Sequence, residues 1–551
     1  MSASYCVPPS GGSETVPPLR GSTRATGSRT PRLGTPYPLL GGWLTLRRLV
    51  QYLALFVFVA LFVWSRRGGW PGILVNFPMR LDPLAMLAHG LSSRTLLAGS
   101  ALALLTVVLT LGLGRVWCGW LCPMGTLLDL FSLRRWRGQR GAPADSRYSV
   151  PPLGGWRAIK YVLLLIILFA ALLGNLTWML LDPLTILFRT LSASVWPAVD
   201  QIVTTAEHAL YQFAALRPAV SAFDALVRPK VLPPEPAFYR LTFLYAGFLG
   251  GIVALNLLAS RFWCRYLCPL GGLLGILSKV ALVRREVNEQ CNQCRACARV
   301  CPTGTIDADK GFRSDPGECT MCLECYHACP QGAVEFPLHR SLAARRSYDP
   351  SRRKALLALG TAVAGVSLFR SDIVSRRDHP HLIRPPGARE NNLLSKCVRC
   401  GECSRACPTS AIQPAITEAG LEGLWTPVLV PRIGYCDYSC HACGQVCPVQ
   451  AIPPLSLEAK RQQVIGQAYI DHNRCIAWAD HRDCIVCEEM CPVPQKAIIL
   501  QEIEVLNGDG ELVTVKLPEV VRERCIGCGT CENKCPLNGE AAIRVWVPNE
   551  S

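Results

Sequence analysis

Six runs of cysteine hold most of the chemistry available to this chain. Each reads C-x-x-C-x-x-C-x-x-x-C-P or a close variant. They are Cys291, Cys294, Cys297 and Cys301; Cys319, Cys322, Cys325 and Cys329; Cys397, Cys400, Cys403 and Cys407; Cys436, Cys440, Cys443 and Cys447; Cys475, Cys484, Cys487 and Cys491; and Cys525, Cys528, Cys531 and Cys535. Three thiolates separated by two residues wrap one side of a cubane, and the backbone N–H groups between them are free to tune it. The cysteine before proline ligates the neighbouring cluster where two such runs are paired. That rule predicts six 4Fe-4S clusters. Cys329 joins the first triplet and Cys301 the second, Cys447 the third and Cys407 the fourth, Cys535 the fifth and Cys491 the sixth.

Two runs depart from the pattern, with three residues between Cys436 and Cys440 and eight between Cys475 and Cys484. Both changes fall in the first spacer, and the ligand number survives. Cys440-His441 after Cys436 also resembles a haem-attachment sequence, but the C-x-x-C-H spacing is missing. Zinc sites favour two C-x-x-C pairs or cysteine with histidine. Disulfide frameworks belong mainly to short secreted chains. Neither suits a sixfold repeat in 551 residues.

Of 29 cysteines, 24 lie in the runs; Cys6 stands alone, and four form two further pairs. Those pairs, Cys118/Cys122 and Cys264/Cys268, read C-x-x-x-C-P without the two earlier ligands. Two readings stay open: four thiolates meeting at one metal or redox site, or structural or reversible thiols. Asp82 and Asp182 occupy equivalent L-D-P-L sequences. Carboxyls at membrane depth serve proton transfer, including proton release from a quinol, whereas an Asp-Pro turn also caps helices. His89 and His208 are placed in outer loops, with no bis-histidine haem expected.

Apolar stretches must position these groups. Residues 1–42 carry little to bury and are expected to be disordered. Four spans follow, Leu49–Trp64, Thr95–Gly114, Tyr161–Leu173 and Thr242–Leu258, the second and fourth of comfortable crossing length. The equivalent L-D-P-L and C-x-x-x-C-P sequences make them two helix-hairpin repeats. Arg47, Arg48 and the arginines at 134, 135, 137, 140 and 147 place the unit's ends in the cytoplasm by the positive-inside rule; Arg66 and Arg67 oppose it. The same bias accounts for the net charge of +17 without nucleic acid. The predicted fold is an α-helical membrane bundle of four transmembrane helices, with a fifth apolar stretch at Ala355–Phe369. To it are joined α+β ferredoxin-like modules, each with a short helix after the cluster loop leading into a strand.

The span-and-ferredoxin arrangement over 44–335 resembles the NapH-type membrane quinol dehydrogenase component of periplasmic nitrate reductase systems. It is also similar to the membrane part of nitrous oxide reductase regulators and cytochrome oxidase assembly proteins. From about 351 the chain resembles the NapG-type periplasmic ferredoxin and its methylamine-utilisation relative. At the junction, Ser351-Arg352-Arg353-Lys354 is similar to a twin-arginine export signal, with Ala355 and Leu357 where that signal has Phe and Lys. The resemblance implies a fusion of two subunits in a bacterial inner membrane, with the first ferredoxin domain cytoplasmic and the second periplasmic.

The expected domains are 1–42, disordered; 43–284, membrane; 285–340, two-cluster ferredoxin; 341–389, twin-arginine linker; and 390–551, four-cluster ferredoxin. The expected function is quinol oxidation, with electrons passed from the quinone pool to a periplasmic reductase or multihaem cytochrome. A redox maturation factor for a metalloenzyme is the alternative. Cys118, Cys122, Cys264, Cys268, Asp82 and Asp182 are the candidates for the quinol site.

Overall fold

The computed structural model describes residues 41–64, 76–95, 98–132, 156–226, 228–232, 237–308, 311–338, 352–369, 381–506 and 512–547. Residues 1–40, with Cys6, lie outside these, as do Arg66, Arg67, the arginines at 134–147 and linker residues 341–351 and 370–380.

Ten helices frame the first half and the junction: α1 (Gly41–Trp64), α2 (Pro83–Ser93), α3 (Ala101–Leu113), α4 (Pro123–Leu130), α5 (Ile159–Leu172), α6 (Pro183–Thr190), α7 (Trp196–Tyr211), α8 (Thr242–Ala254), α9 (Pro269–Ser278) and α10 (Arg352–Phe369). Of the described helices only the first, over Gly42–Val63, is long and apolar enough to cross a membrane by itself. The predicted lengths are therefore corrected. The spans over 95–114 and 242–258 give helices of only 13 residues in α3 and in α8. Left-handed Gly114 (φ 73°) ends α3, and a 3₁₀ turn, Leu255–Leu257, follows α8. Thirteen residues measure about 20 Å along the axis. Among the described residues, a bundle of four full-length spanning helices is not confirmed.

The internal repeat is real at the level of backbone. After α3 and α8, single π-helical turns form at Trp117–Leu121 and Trp263–Leu267. Proline forces the residue before it into extended backbone. Cys122 and Cys268 accordingly leave their π turns extended, and Pro123 and Pro269 open α4 and α9. Likewise Asp82 and Asp182 each cap a helix that proline opens. Junction helix α10 packs on α5, with Ala358 and Ala362 against Ile166.

The cysteine-rich regions are built from short antiparallel pairs. Glu286–Val287 pairs with Val334–Glu335, Ile412–Pro414 with Pro427–Leu429, and Gln467–Ile470 with Ile543–Trp546. A nine-residue hairpin, Ile498–Leu506 against Leu512–Val520, was not expected from the sequence. The repeated unit also differs in order from the prediction. Its one-turn helix lies inside the cysteine run and carries the third cysteine, as in Ala296–Val300 and Glu402–Ala406. In the fourth run no strand follows at Ala451-Ile452.

Candidate iron–sulfur and redox centres

Four of the six runs share one backbone device. The residue after the second cysteine is left-handed: Arg295 (φ 60°), Leu323 (φ 61°), Gly401 (φ 83°) and Gly529 (φ 79°). Such a turn points successive sulfurs at one centre. The two runs with long first spacers lack it, since His441 and Ile485 have φ of −135° and −110°.

The fold brings the cysteine before proline of one run beside the triplet of another. Cys329 lines a cavity with Cys291, Cys294 and Cys297. Cys447 does so with Cys397, Cys400 and Cys403, and Cys407 with Cys436, Cys440 and Cys443. Cys535 joins Cys475, Cys484 and Cys487, and Cys491 joins Cys525, Cys528 and Cys531. Cys301 lies beside Cys319 and Cys322, whose charges also act on Cys325.

These quartets fit cubanes. Among the described residues, no three Cys, His, Asp or Glu side chains converge closely enough for a single ion. Backbone N–H groups donate to the sulfurs, as cluster loops do. Ala468 N donates to Cys525 Sγ at 3.3 Å, Ala497 N to Cys491 Sγ at 3.4 Å and Ala442 N to Cys440 Sγ at 3.5 Å. Burial pushes the Cys436 thiol up to about 11 and Cys487 to about 12, with further upward pushes from neighbouring thiolates. Metal binding to such thiols displaces their protons.

The quartets follow one another in space in an order that differs from the sequence. Cys403 lies within electrostatic reach of Cys443, Cys436 of Cys528, and Cys531 of Cys487. The line therefore runs from the Cys397 quartet to the Cys436, Cys525 and Cys475 quartets. Cys436 N donating to Cys528 O at 2.8 Å ties the middle of this line.

Both cysteine-rich regions dock on the helices. The first sits at the start of α5, where Lys160 Nζ meets Glu318 Oε2 at 2.6 Å and Tyr161 O–H donates to Glu318 Oε1 at 3.1 Å. Arg47, read as a membrane-surface charge, is instead buried; it donates to Cys322 O at 3.2 Å and pairs with Asp129 and Glu324. Trp120 Nε1 donates to Met321 O at 2.9 Å.

The second region sits beyond the other end of α5. Asn175 Nδ2 donates to Glu422 Oε1 at 3.2 Å, and Arg399 Nη2 donates to Thr177 Oγ1 at 3.1 Å and Glu422 O at 2.7 Å. Arg189 Nη1 donates to Arg399 O at 3.2 Å. Arg189 stacks over Trp425, 4.2 Å from the ring centre. Cys400, Cys447 and Val449 share one apolar core with Phe62, Leu84 and Leu184.

A profile described as a 4Fe-4S binding domain matches residues 95–140 and 241–288, and a 4Fe-4S dicluster domain matches 290–333. A further 4Fe-4S binding domain matches 394–413 and 518–538. The methylamine utilization ferredoxin-type protein MauM of Methylorubrum extorquens is 34% identical over 210 residues, which are 37% of this chain and 91% of that protein. The chain belongs to the MauM family of ferredoxin-type proteins. The ferredoxin-type protein NapG of Escherichia coli is 36% identical over 188 residues, 34% of this chain and 79% of that protein. Ferredoxin-type protein NapH of the same organism is 28% identical over 269 residues, 47% of this chain and 75% of that protein. No solved structure matches. This ferredoxin-type chain is an iron–sulfur electron-transfer protein.

Asp82 and Asp182 are brought together. Both are fully buried, and each accepts two backbone N–H bonds at its helix start, Leu84 and Ala85 for one, Leu184 and Thr185 for the other. The capping reading is therefore right. The remaining oxygens, Asp82 Oδ2 and Asp182 Oδ1, have no hydrogen-bond partner, and the two carboxyls lie within electrostatic reach of each other. Burial raises both above the ordinary carboxylate range, and the Asp82 charge raises Asp182 further. Arg189 lies near both Asp182 and Cys400. His89 and His208 are not in loops; His89 is buried on α2 and His208 exposed on α7.

Sequence reasoning missed the buried arginines. Arg115, Arg261 and Arg399 are each 1% exposed. The signal was present for two of them: Arg115 and Arg261 stand at the same place in the repeat, three residues before Cys118 and Cys264.

Proposed function

We propose that the chain is a quinol-fed electron conduit crossing a bacterial inner membrane. Its helical unit lies in the bilayer, and its two ferredoxin regions stand on opposite faces, the first cytoplasmic and the second periplasmic. The observation that carries this reading is their attachment to opposite ends of one helix. Lys160 binds the first region and Asn175 the second. Lys160 stands at the start of α5 and Asn175 three residues past its end at Leu172; the twelve helical rises between Lys160 and Leu172 measure about 18 Å, more than half of a hydrocarbon core about 30 Å thick. The short α3 and α8 are completed by their π turns, and α10 adds a fifth apolar helix against α5.

In this reading six cysteine quartets hold six 4Fe-4S clusters, each drawn from two runs. The clusters, when bound, carry single electrons. The protein fixes their spacing and surrounds the sulfurs with N–H donors. Asp82 and Asp182 receive quinol protons, because one oxygen on each is free of backbone bonds and the two carboxyls lie within electrostatic reach of each other. Arg189 adjoins both Asp182 and Cys400, so proton acceptance occurs next to the first quartet of the periplasmic line. Electrons leave at the Cys475 end, to a periplasmic reductase or multihaem cytochrome of a nitrate- or methylamine-linked system.

Quinol added to protein in membrane vesicles, with an artificial electron acceptor, is expected to be oxidised by the wild type. A reporter fused after Ser551 is expected to be active only in its periplasmic form. A cytoplasmic reporter, or no quinol consumption by iron-replete protein, contradicts the reading.

A further inference from the structure

We propose that Cys118, Cys122, Cys264 and Cys268 together hold one further iron–sulfur cluster, shared between the two halves of the internal repeat. Both segments carrying these residues match a 4Fe-4S binding domain, but each contributes only two cysteines there. Neither half can complete a four-thiolate site. The fold brings the halves together: all six pairings among the four sulfurs lie within electrostatic reach. None of the four is in a disulfide, and Cys118, Cys122 and Cys268 are buried in one apolar core against which Cys264 packs.

The surroundings are those of an anionic group. Arg115 and Arg261 are almost completely buried on either side of the quartet, as the repeat symmetry requires. Arg115 Nη2 approaches Cys118 Sγ at 3.8 Å, and Arg115 Nε has no acceptor. Lys160 is also buried, with Cys268 acting on it. Buried cations need anionic partners. Arg115 and Lys160 share Glu318, Arg261 and Arg47 share Asp129, and Arg47 also pairs with Glu324, so four cations face three carboxylates. A cluster bound by four thiolates supplies the missing negative charge.

The backbone makes room. Gly271 N donates to Cys268 Sγ at 3.2 Å, as in the ferredoxin loops. A Cβ on Gly271 would meet Arg115 Nη2 at 2.8 Å and Cys268 Sγ at 3.3 Å. At the equivalent Gly125 it would meet Cys118 O at 2.8 Å. Because Arg261 faces both Cys264 and Cys322, the site adjoins the Cys319 quartet. It adds a one-electron station between the first ferredoxin and the helical core, reduced as its neighbour is oxidised.

The test is iron, acid-labile sulfide and zinc on the full-length chain, purified anaerobically, with electron paramagnetic resonance of the reduced protein. Wild type is expected to carry seven clusters' worth of iron, about four irons each, and no zinc. Cys118→Ser with Cys264→Ser is expected to lose about four irons and four sulfides while the other cluster signals persist. Iron for six clusters in otherwise replete wild type overturns the proposal, and so does stoichiometric zinc. Unchanged iron in the double variant does the same. If the double variant fails to fold, the wild-type stoichiometry decides.

Discussion

Glu318 offers the sharpest test of how the first ferredoxin is held. Its carboxylate receives Lys160 Nζ at 2.6 Å and the Tyr161 hydroxyl at 3.1 Å, with Arg115 Nη1 at 3.9 Å. The side chains of Lys160 and Glu318 are 0% and 4% exposed, so water cannot substitute for either. Glu318→Ala strands a buried ammonium, a loss of about 3–5 kcal/mol for a broken buried pair. That corresponds to a rise of roughly two to three and a half orders of magnitude in the population of undocked states, at about 1.4 kcal/mol per decade. Removing both charges, with Lys160→Met and Glu318→Leu, should recover most of the loss, because a buried pair replaced by apolar groups is often near neutral. Hydrogen exchange on the full chain in nanodiscs reads this directly: amides around Pro316–Cys325 should exchange faster by that factor in Glu318→Ala and not in the double variant. Exchange within threefold of wild type in Glu318→Ala, or a double variant as labile as the single one, refutes the reasoning.

Three further outcomes follow from the same geometry. Cys407→Ala should remove the cluster of the distant Cys436 run, with loss of about four irons, and spare that of its own Cys397 run; analysis of iron with cluster spectroscopy checks this. Asp182→Asn keeps a capping oxygen as good as aspartate and supplies a donor to Asp82, so melting temperature should hold. Quinol oxidation should nevertheless fall by about 10²-fold, the usual scale for losing a proton acceptor; unchanged turnover would reduce the pair to two helix caps. Arg399→Ala strips donors from Leu424 O, Cys397 O, Thr177 Oγ1 and Glu422 O. At about 1–3 kcal/mol per buried unpaired group, it should release the second ferredoxin from α5, visible as new proteolysis near residue 390.

Much of this site was legible because cluster ligation is written in local spacing. The crossing of Cys407 and Cys447 between runs could be foreseen from one rule, since a cubane needs four thiolates and one loop supplies three. Repeat matching also exposed the equivalence of Asp82 with Asp182. What sequence could not give is contact across the repeat axis, where the two carboxyls and the two cysteine pairs meet. Hydropathy misled in a specific way. It read Thr95–Gly114 as one long span, whereas the α-helix begins only at Ala101, after a 3₁₀ turn at Ala98–Ser100, and ends before Gly114. Charge counting misled likewise, because Arg47 serves as a buried clamp on Cys322 and not as a charge at the membrane surface. The spatial order of the last four quartets depends on packing between distant runs and has no local signature.

The central claim is that quinol electrons enter a line of clusters held by this one chain. Electron paramagnetic resonance of the purified protein in liposomes, frozen after mixing with quinol, tests it most directly. The account predicts reduced 4Fe-4S signals that appear with quinol and are lost in Asp182→Asn. Clusters that dithionite reduces but quinol leaves oxidised, at quinol potentials low enough to reduce them, would contradict it.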